Sequence, residues 1–420
     1  MVDREPPRRV VVTGLGVIAP NGNDVATFWE SIREGRSGAG FISQFDVSDM
    51  PNVIGAEVKN FDPGRYMDAK NVRRYDKTIK YAVAAAKMAA EDANLKLDQV
   101  DPDRIGIAEG TTISGMESVV KSHLMYLKDP SAVNPLFVIN GYVGQGASTV
   151  ALEMGLNAQA ITICSGCASS NDALGYGFER IQADESDVMI VGGTDANLTR
   201  ELWAGWASLR VMTRRREDPA SAMRPFDRGR DGFVLGEGAA FLVLEELSHA
   251  LARGARIYAE ILGQGRSVEA YHLVEPHPQG LGARRALEKA LRYTRLAPED
   301  VDYINAHGSA TKVHDQVETM VLKTVFGEHA RRLAISSTKP VTGHLMGAAG
   351  AAEAMVCVLS LYHQVIPPTI NLREPAEGCD LDYVPLRPRP YPIRVALNIN
   401  SAFGGKNSCL VMGRYPREAR

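Results

Sequence analysis

Short runs of β-branched residues alternate with longer alanine-rich stretches from one end of this 420-residue chain to the other, and that alternation restricts the fold more than any other feature. Strands place apolar residues with a period of two and helices with a period near 3.6, so repeated switching between them builds layered α/β structure. Strands are expected at 10–12, 104–108, 160–163 and 188–191. Helices are expected at 24–35, capped by Asp24, at 78–93, at 139–154 as a glycine-spaced buried helix, and from 168 past 179. The alternation then repeats, with strands at 241–244, 257–262, 301–305, 333–336, 395–399 and 409–412 and helices at 248–253, 281–292, 316–326 and 348–362. A change of rhythm near 253–257 divides the chain into two related α/β units, 1–255 and 256–420. The length agrees, being too great for one ordinary core of about 100 to 150 residues.

Charge and cysteine usage remove several function classes. Lys and Arg number 47 against 50 Asp and Glu, a net charge of -3, so nucleic acid, which needs a basic surplus on one face, is not expected as a main partner. The apolar run at 10–12 ends at Thr13-Gly14, too short for a signal-peptide core, and no stretch approaches the ~18 uninterrupted apolar residues of a membrane span. The expectation is a cytoplasmic protein with no membrane partner. Five cysteines, at 164, 167, 357, 379 and 409, leave one over in any full pairing, which fits a reducing compartment better than a disulfide framework. The charged segment 214–231, with Arg214-Arg215-Arg216, reads as a solvated loop, and the proline-rich stretch 385–392 as a surface connection.

Four passages carry residues suited to chemistry. Cys167, in Ile163-Cys164-Ser165-Gly166-Cys167-Ala168, stands where a strand ends, a glycine turns and a helix begins. A helix N-terminus favours thiolate, so this thiol is expected to be more reactive than an ordinary one; the plain alternative is a buried structural cysteine. Cys164 is expected in the core. The Cys164-x-x-Cys167 spacing lacks the second ligand pair of a zinc site and the small-domain setting of a redox disulfide. His307 follows a strand in Asn305-Ala306-His307-Gly308-Ser309-Ala310-Thr311, with Ser309 and Thr311 at alternating positions. His344 lies in Thr342-Gly343-His344-Leu345-Met346-Gly347, between strand and helix, with Lys339 before it and Glu353 after it; the last two are natural as a hydrogen-bonded pair. The fourth passage is Ser401-Ala402-Phe403-Gly404-Gly405, either a mobile backbone facing an oxygen or a glycine-rich hairpin turn.

Together these passages resemble the β-ketoacyl-[acyl-carrier-protein] synthases, the elongating Cys-His-His branch of the thiolase-like condensing enzymes. The likeness runs from Val10 to about Gly413 and rests on Cys-Ala-Ser-Ser at 167–170, Arg-Pro-Phe-Asp-Arg at 224–228, Arg-Asp-Gly-Phe-Val-Leu-Gly-Glu-Gly at 230–238, Asn-Ala-His-Gly at 305–308, Ser-Thr-Lys at 337–339, Thr-Gly-His at 342–344 and Pro-Pro-Thr-Ile-Asn at 367–371. It implies a five-layer αβαβα sandwich of two duplicated halves. It also implies the activity: Cys167 takes an acyl chain from a carrier-protein thioester, while His307 and His344 hold the malonyl thioester carbonyl during decarboxylation. Lys339 with Glu353 would organise the site electrostatically, Phe403 would gate malonyl entry, and the N-H groups of Cys167 and Phe403 would form an oxyanion hole. Ser309 and Thr311 would hold the malonyl carboxylate or a water. Ile113, Phe137 and Trp206 would line the acyl pocket. Lys70, Arg73, Arg74 and Arg210 would receive the acidic carrier protein. No metal or other cofactor is implied, since substrates arrive on the phosphopantetheine arm of acyl carrier protein. The partner subunit would be a second copy or a chain-length-factor-like subunit.

The chain departs from the family pattern at Gly166, Lys312, Ser401 and Lys406, and these changes lean toward a specialised type II polyketide or polyene subunit. Asn398-Ile399-Asn400 also departs from the usual pattern beside a structural cation that some relatives bind, and no such cation is expected. Three other readings fit less well. A non-catalytic chain-length factor lacks the nucleophile. A priming synthase pairs Cys and His with Asn, and a papain-like hydrolase lacks the duplication.

Overall fold

The computed structural model describes residues 7–416. Ten strands form one mixed sheet: β1 (Val10–Ile18), β2 (Ile105–Gly110), β3 (Gln159–Ile163), β4 (Val188–Asp195), β5 (Gly238–Glu246), β6 (Ala259–Val268), β7 (Tyr303–Asn305), β8 (Ala334–Ser336), β9 (Val395–Ala402) and β10 (Lys406–Gly413). Their spatial order is β8-β7-β9-β10-β6-β1-β5-β4-β2-β3. The first five strands and the last five therefore share one order. In each set three neighbouring strands pair parallel (β3, β2, β4 and β8, β7, β9), and the other two join through antiparallel pairing, β5 and β10 running opposite to the rest. The sets meet where β1 pairs antiparallel with β6, Val11 opposite Glu260. Strands β1, β4 and β5 are buried along their whole length, which is why they read as continuous apolar runs.

The helices that matter for the site are α1 (Val25–Glu34), α2 (Lys77–Asp92), α3 (Met116–Lys128), α4 (Phe137–Asn140), α5 (Gln145–Met154), α6 (Ser169–Gln182), α7 (Arg200–Ser208), α8 (Leu281–Thr294), α9 (Lys312–Phe326) and α10 (Ala349–His363). Helices α2 and α5 cover the outer face of the first strand set, α8 and α9 that of the second, and α6 and α10 pack together between the two. This is the five-layer αβαβα arrangement. A middle layer has no polar side, so α10 must be apolar all round, and every residue from Ala349 to Leu361 is buried. The segment Met346–His363 is long and apolar enough to cross a membrane by length and composition, yet 89% of it is buried inside this fold.

Three local expectations need correction. The single helix expected at 139–154 is broken: α4 ends at Asn140, glycines 141 and 144 interrupt the path, and α5 starts at Gln145. Nor is it fully buried, since Ile139 is 45% and Leu152 71% exposed. The segment 214–231 is a solvated loop only in its first half: Arg214 and 216–218 are exposed, whereas Pro225, Phe226, Asp227 and Arg230 are buried. Phe226 is buried and stacks on Tyr383 at 3.9 Å, Asp227 accepts the N-H groups of Gly229, Arg373 and Glu374, and buried Arg230 lies 3.6 Å from Asp315. Alternating charge concealed a packed segment because its charges are satisfied internally. Helix α9 begins at Lys312, four residues before the expected start, which brings His314 onto its first turn.

Candidate active site

Every catalytic candidate follows the end of a strand. Strand β3 runs into a turn at Gly166–Ala168 that leads directly into α6, and Cys167 sits at the middle of that turn, 5% exposed. Gly166 has φ +67°, and a Cβ there would stand 2.9 Å from that of Ala402, so glycine suits this position for both backbone and space. The turn is tied by Ser169, whose hydroxyl accepts from Ser165 N at 2.9 Å and donates to the Gly166 carbonyl at 2.6 Å.

His307 follows β7. Its N-H and that of Gly308 donate to the two carboxylate oxygens of Glu318 on α9, at 2.7 and 2.8 Å. Lys339 and His344 follow β8. Fully buried Lys339 donates 2.6 Å bonds to the His307 carbonyl and to Glu353 Oε1 on α10, and Asn400 Nδ2 on β9 donates to Glu353 Oε2 at 2.7 Å. The expected Lys339–Glu353 pair thus also fixes the backbone that carries His307. His344 Nδ1 accepts the Met346 N-H at 3.3 Å, which puts its proton on Nε2.

The rings of His307 and His344 are perpendicular with centroids 5.6 Å apart, and Ser309 and Thr311 hydroxyls lie 3.0 Å from each other. Phe403, in the β9–β10 hairpin, stacks on Trp206 of α7 at 6.0 Å. That hairpin is held by Gly404 N donating to Leu273 O and by Ser401 Oγ donating to Asn407 Oδ1. Glycine-rich turn and cavity wall are here the same segment. Cys167, His307, His344, Ser309, Thr311 and Phe403 all line one cavity of about 570 Å³.

Burial governs the electrostatics. It pushes the Cys167 thiol up to about 12, and the Lys339 charge is the strongest influence in the opposite direction. Burial thus works against the thiolate expected at the helix start and holds the resting thiol toward its neutral form. Burial and then Lys339 hold both His307 and His344 well below the ordinary imidazole value, so both are neutral. Glu353 is raised by burial against the pull of Lys339.

The arrangement offers a thiol at a helix start, two neutral imidazoles aimed into the same space, and a buried cation behind them. That constellation suits carbon–sulfur acyl transfer followed by stabilisation of an enolate. Residues 7–250 match the family model described as beta-ketoacyl synthase, N-terminal domain, and 258–373 that of the C-terminal domain. The chain belongs to the β-ketoacyl synthase family. It is 41% identical over 408 residues to the 3-oxoacyl-[acyl-carrier-protein] synthase 2 of Coxiella burnetii, covering 97% of this chain and 99% of that protein. Among solved structures it is similar to the ishigamide ketosynthase/chain length factor (TM-score 0.91, 37% identity, 98% of this chain and 100% of that one). It is also similar to a ketosynthase bound to the hexaketide in complex with its type II PKS acyl-carrier protein (TM-score 0.90, 34% identity, 98% and 100% coverage).

Other candidate residues of this synthase fall elsewhere. Trp206 packs between Phe403 and Phe233, beside the cavity rather than in its lining. Ile113 lies beyond β2 with its N-H toward Asp195, and Phe137 is half-buried on α4; neither lines the cavity in the single chain. Arg210 is exposed at the cavity, whereas Lys70, Arg73 and Arg74 are exposed together on the helix Ala69–Arg74, Arg74 bordering a separate cleft. Cys164, expected in the core, is exposed, because β3 is the outermost strand of the sheet and its covering face is open.

Two residues escaped the sequence reading. Asp195, at the end of β4, accepts from Gly347 N at 2.5 Å and from the hydroxyls of Thr111 and Thr112, tying three passages together. His314 lines the cavity with its ring 4.7 Å from that of His307. Its position seven residues after His307 was the available signal, hidden by the late helix start.

Proposed function

We propose that this synthase elongates a carrier-bound acyl chain by two carbons through decarboxylative Claisen condensation with malonyl-acyl carrier protein. The convergence of Cys167, His307 and His344 on one cavity carries this reading. In the first step the Cys167 sulfur adds to the incoming thioester carbonyl, the oxyanion is received by the Cys167 and Phe403 N-H groups, and the pantetheine thiol leaves with the proton. Because burial keeps the resting thiol protonated, attack and proton loss are coupled to substrate arrival. In the second step the malonyl carboxylate leaves as carbon dioxide, its bonding pair passing into an enolate whose oxygen lies between His307 and His344. The enolate carbon then attacks the acyl carbonyl, and as the tetrahedral intermediate collapses the Cys167 sulfur departs with the carbon–sulfur bonding pair and takes up a proton from water to restore the thiol.

Neutral donors serve this step better than imidazolium. They stabilise charge that arises only during decarboxylation, each such donor contributing about 3 kcal/mol. Ser309 and Thr311 hold the carboxylate until it leaves, a role their cavity-lining hydroxyls support. The chemistry needs no metal or redox group. Acyl carrier protein is the proposed partner, entering past exposed Arg210; the related ketosynthase solved with its acyl-carrier protein supports that kind of partner.

An apolar face supports a second ketosynthase-fold subunit. Leu127 on α3, Val138 and Ile139 on α4, Leu152 on α5 and Ile161 on edge strand β3 are all exposed. Whether the subunit is a second copy or a nucleophile-lacking partner, as in a specialised polyketide synthase, is decided by the mass of the purified complex.

The test is a pair of variants. Cys167→Ala abolishes condensation, while Cys167→Gln, which imitates the acylated state, still releases carbon dioxide from malonyl-acyl carrier protein. A folded Cys167→Gln protein that releases none overturns the roles given to His307 and His344.

A further inference from the structure

The two catalytic imidazoles are not equally supported. His344 has its tautomer set by a backbone amide, since Met346 N-H occupies Nδ1 and leaves Nε2-H to face the substrate. His307 needs the same tautomer to donate to the enolate oxygen, yet its Nδ1 is buried with no hydrogen-bond partner. An unsatisfied buried ring nitrogen is destabilising and leaves the proton free to sit on the wrong atom.

The ring nearest to it is His314. The two ring planes meet at 65° with centroids 4.7 Å apart, an edge-to-face contact between immediate neighbours. His314 also has a buried Nδ1 without a partner, 3.8 Å from Glu318 Oε2, the carboxylate that accepts the His307 and Gly308 N-H groups. Its side chain is 15% exposed and borders the cavity.

We propose that His314 is a positioning residue for His307, donating a ring N-H to His307 Nδ1 and thereby fixing the Nε2-H tautomer that decarboxylation requires. Resting on the proposed condensation, this assigns to α9 the task that the Met346 amide performs for His344. Glu318 anchors both members, one through its backbone and the other from beside its ring. Burial holds the His314 imidazole down to about 4, so it is a neutral donor rather than a competing cation in this crowded site.

The experiment uses the full-length protein with Cys167→Gln as background and malonyl-acyl carrier protein as probe. His314→Phe keeps a ring of similar breadth but has no N-H, whereas His314→Gln keeps a donor. Decarboxylation is expected to fall at least ~10-fold in His314→Phe, the scale at which outer partners of functional histidines act, and to recover most of that in His314→Gln. In a Cys167-intact background, acyl loading of Cys167, which does not use His307, should change less than 2-fold (~0.4 kcal/mol) in either variant. Nitrogen-15 NMR of the imidazoles should show His307 protonated on Nε2 in the parent and as a tautomer mixture in His314→Phe. Equal loss in the Phe and Gln variants, parallel loss of loading, or an unchanged His307 tautomer overturns the proposal. If the parent Cys167→Gln protein itself fails to decarboxylate, it is the condensation reading that fails.

Discussion

Replacing Lys339 by methionine tests both the stability and the electrostatics of the site. The substitution removes two 2.6 Å hydrogen bonds, to Glu353 Oε1 and to the His307 carbonyl, and leaves Glu353 in the middle layer with only Asn400 as a polar partner. Losing one member of a buried ion pair costs about 3 to 5 kcal/mol, because the remaining charge is uncompensated. In Lys339→Met/Glu353→Leu no charge remains. The double variant should therefore be less destabilised than the sum of the singles by at least ~2 kcal/mol, although the Asn400 amide and the His307 carbonyl lose partners worth about 1 kcal/mol each. Urea unfolding with unchanged slope measures these differences. The same single variant reports on the imidazoles. Lys339 is second only to burial in depressing His307 and His344, so its removal raises both values and lets them take up protons at a higher pH. In decarboxylation assays the acid limb of the pH–kcat profile should move upward. A single variant within ~1 kcal/mol of the parent, additive energies in the double, or an unmoved acid limb would refute the role given to this pair.

Three further outcomes are expected. Cys164→Ala should retain much of the condensation that Cys167→Ala loses, as read by a condensation assay. Burial pushes Glu109 on β2 up to about 8 against the opposing pull of the Ala147 N-H and the Thr162 hydroxyl, so the folded protein keeps a proton that the unfolded chain releases above the ordinary 4.5. Stability is thus lost as pH rises from about 4.5 through about 8, and Glu109→Gln should change little at pH 4 but stabilise by a few kcal/mol at pH 9, as followed by thermal unfolding. Finally, Arg210→Glu should raise KM for the acyl carrier protein with little change in kcat, the difference between variant and parent shrinking as salt is added.

Much of this protein was written locally. The alternation of strand and helix periods, the Asp24 cap and Gly35 stop of α1, the placing of Cys167 and His307 just after strand ends and that of His344 in the passage from β8 to α10 are properties of short windows, and the structure keeps them. So is the duplication, since equal strand orders in the two sets follow from repeating one pattern of elements. What windows of sequence do not contain is distance between remote segments and depth below the surface. Only the tertiary structure decided that Cys167 is buried far enough to stay protonated, that Cys164 lies on an open edge, and that 222–227 folds inward while 214–218 stays outside. Only it brought His314 against His307, by starting α9 one turn early. Desolvation and pairing depend on what the rest of the chain packs around a residue, and that is fixed by the assembled layers rather than by neighbours in sequence.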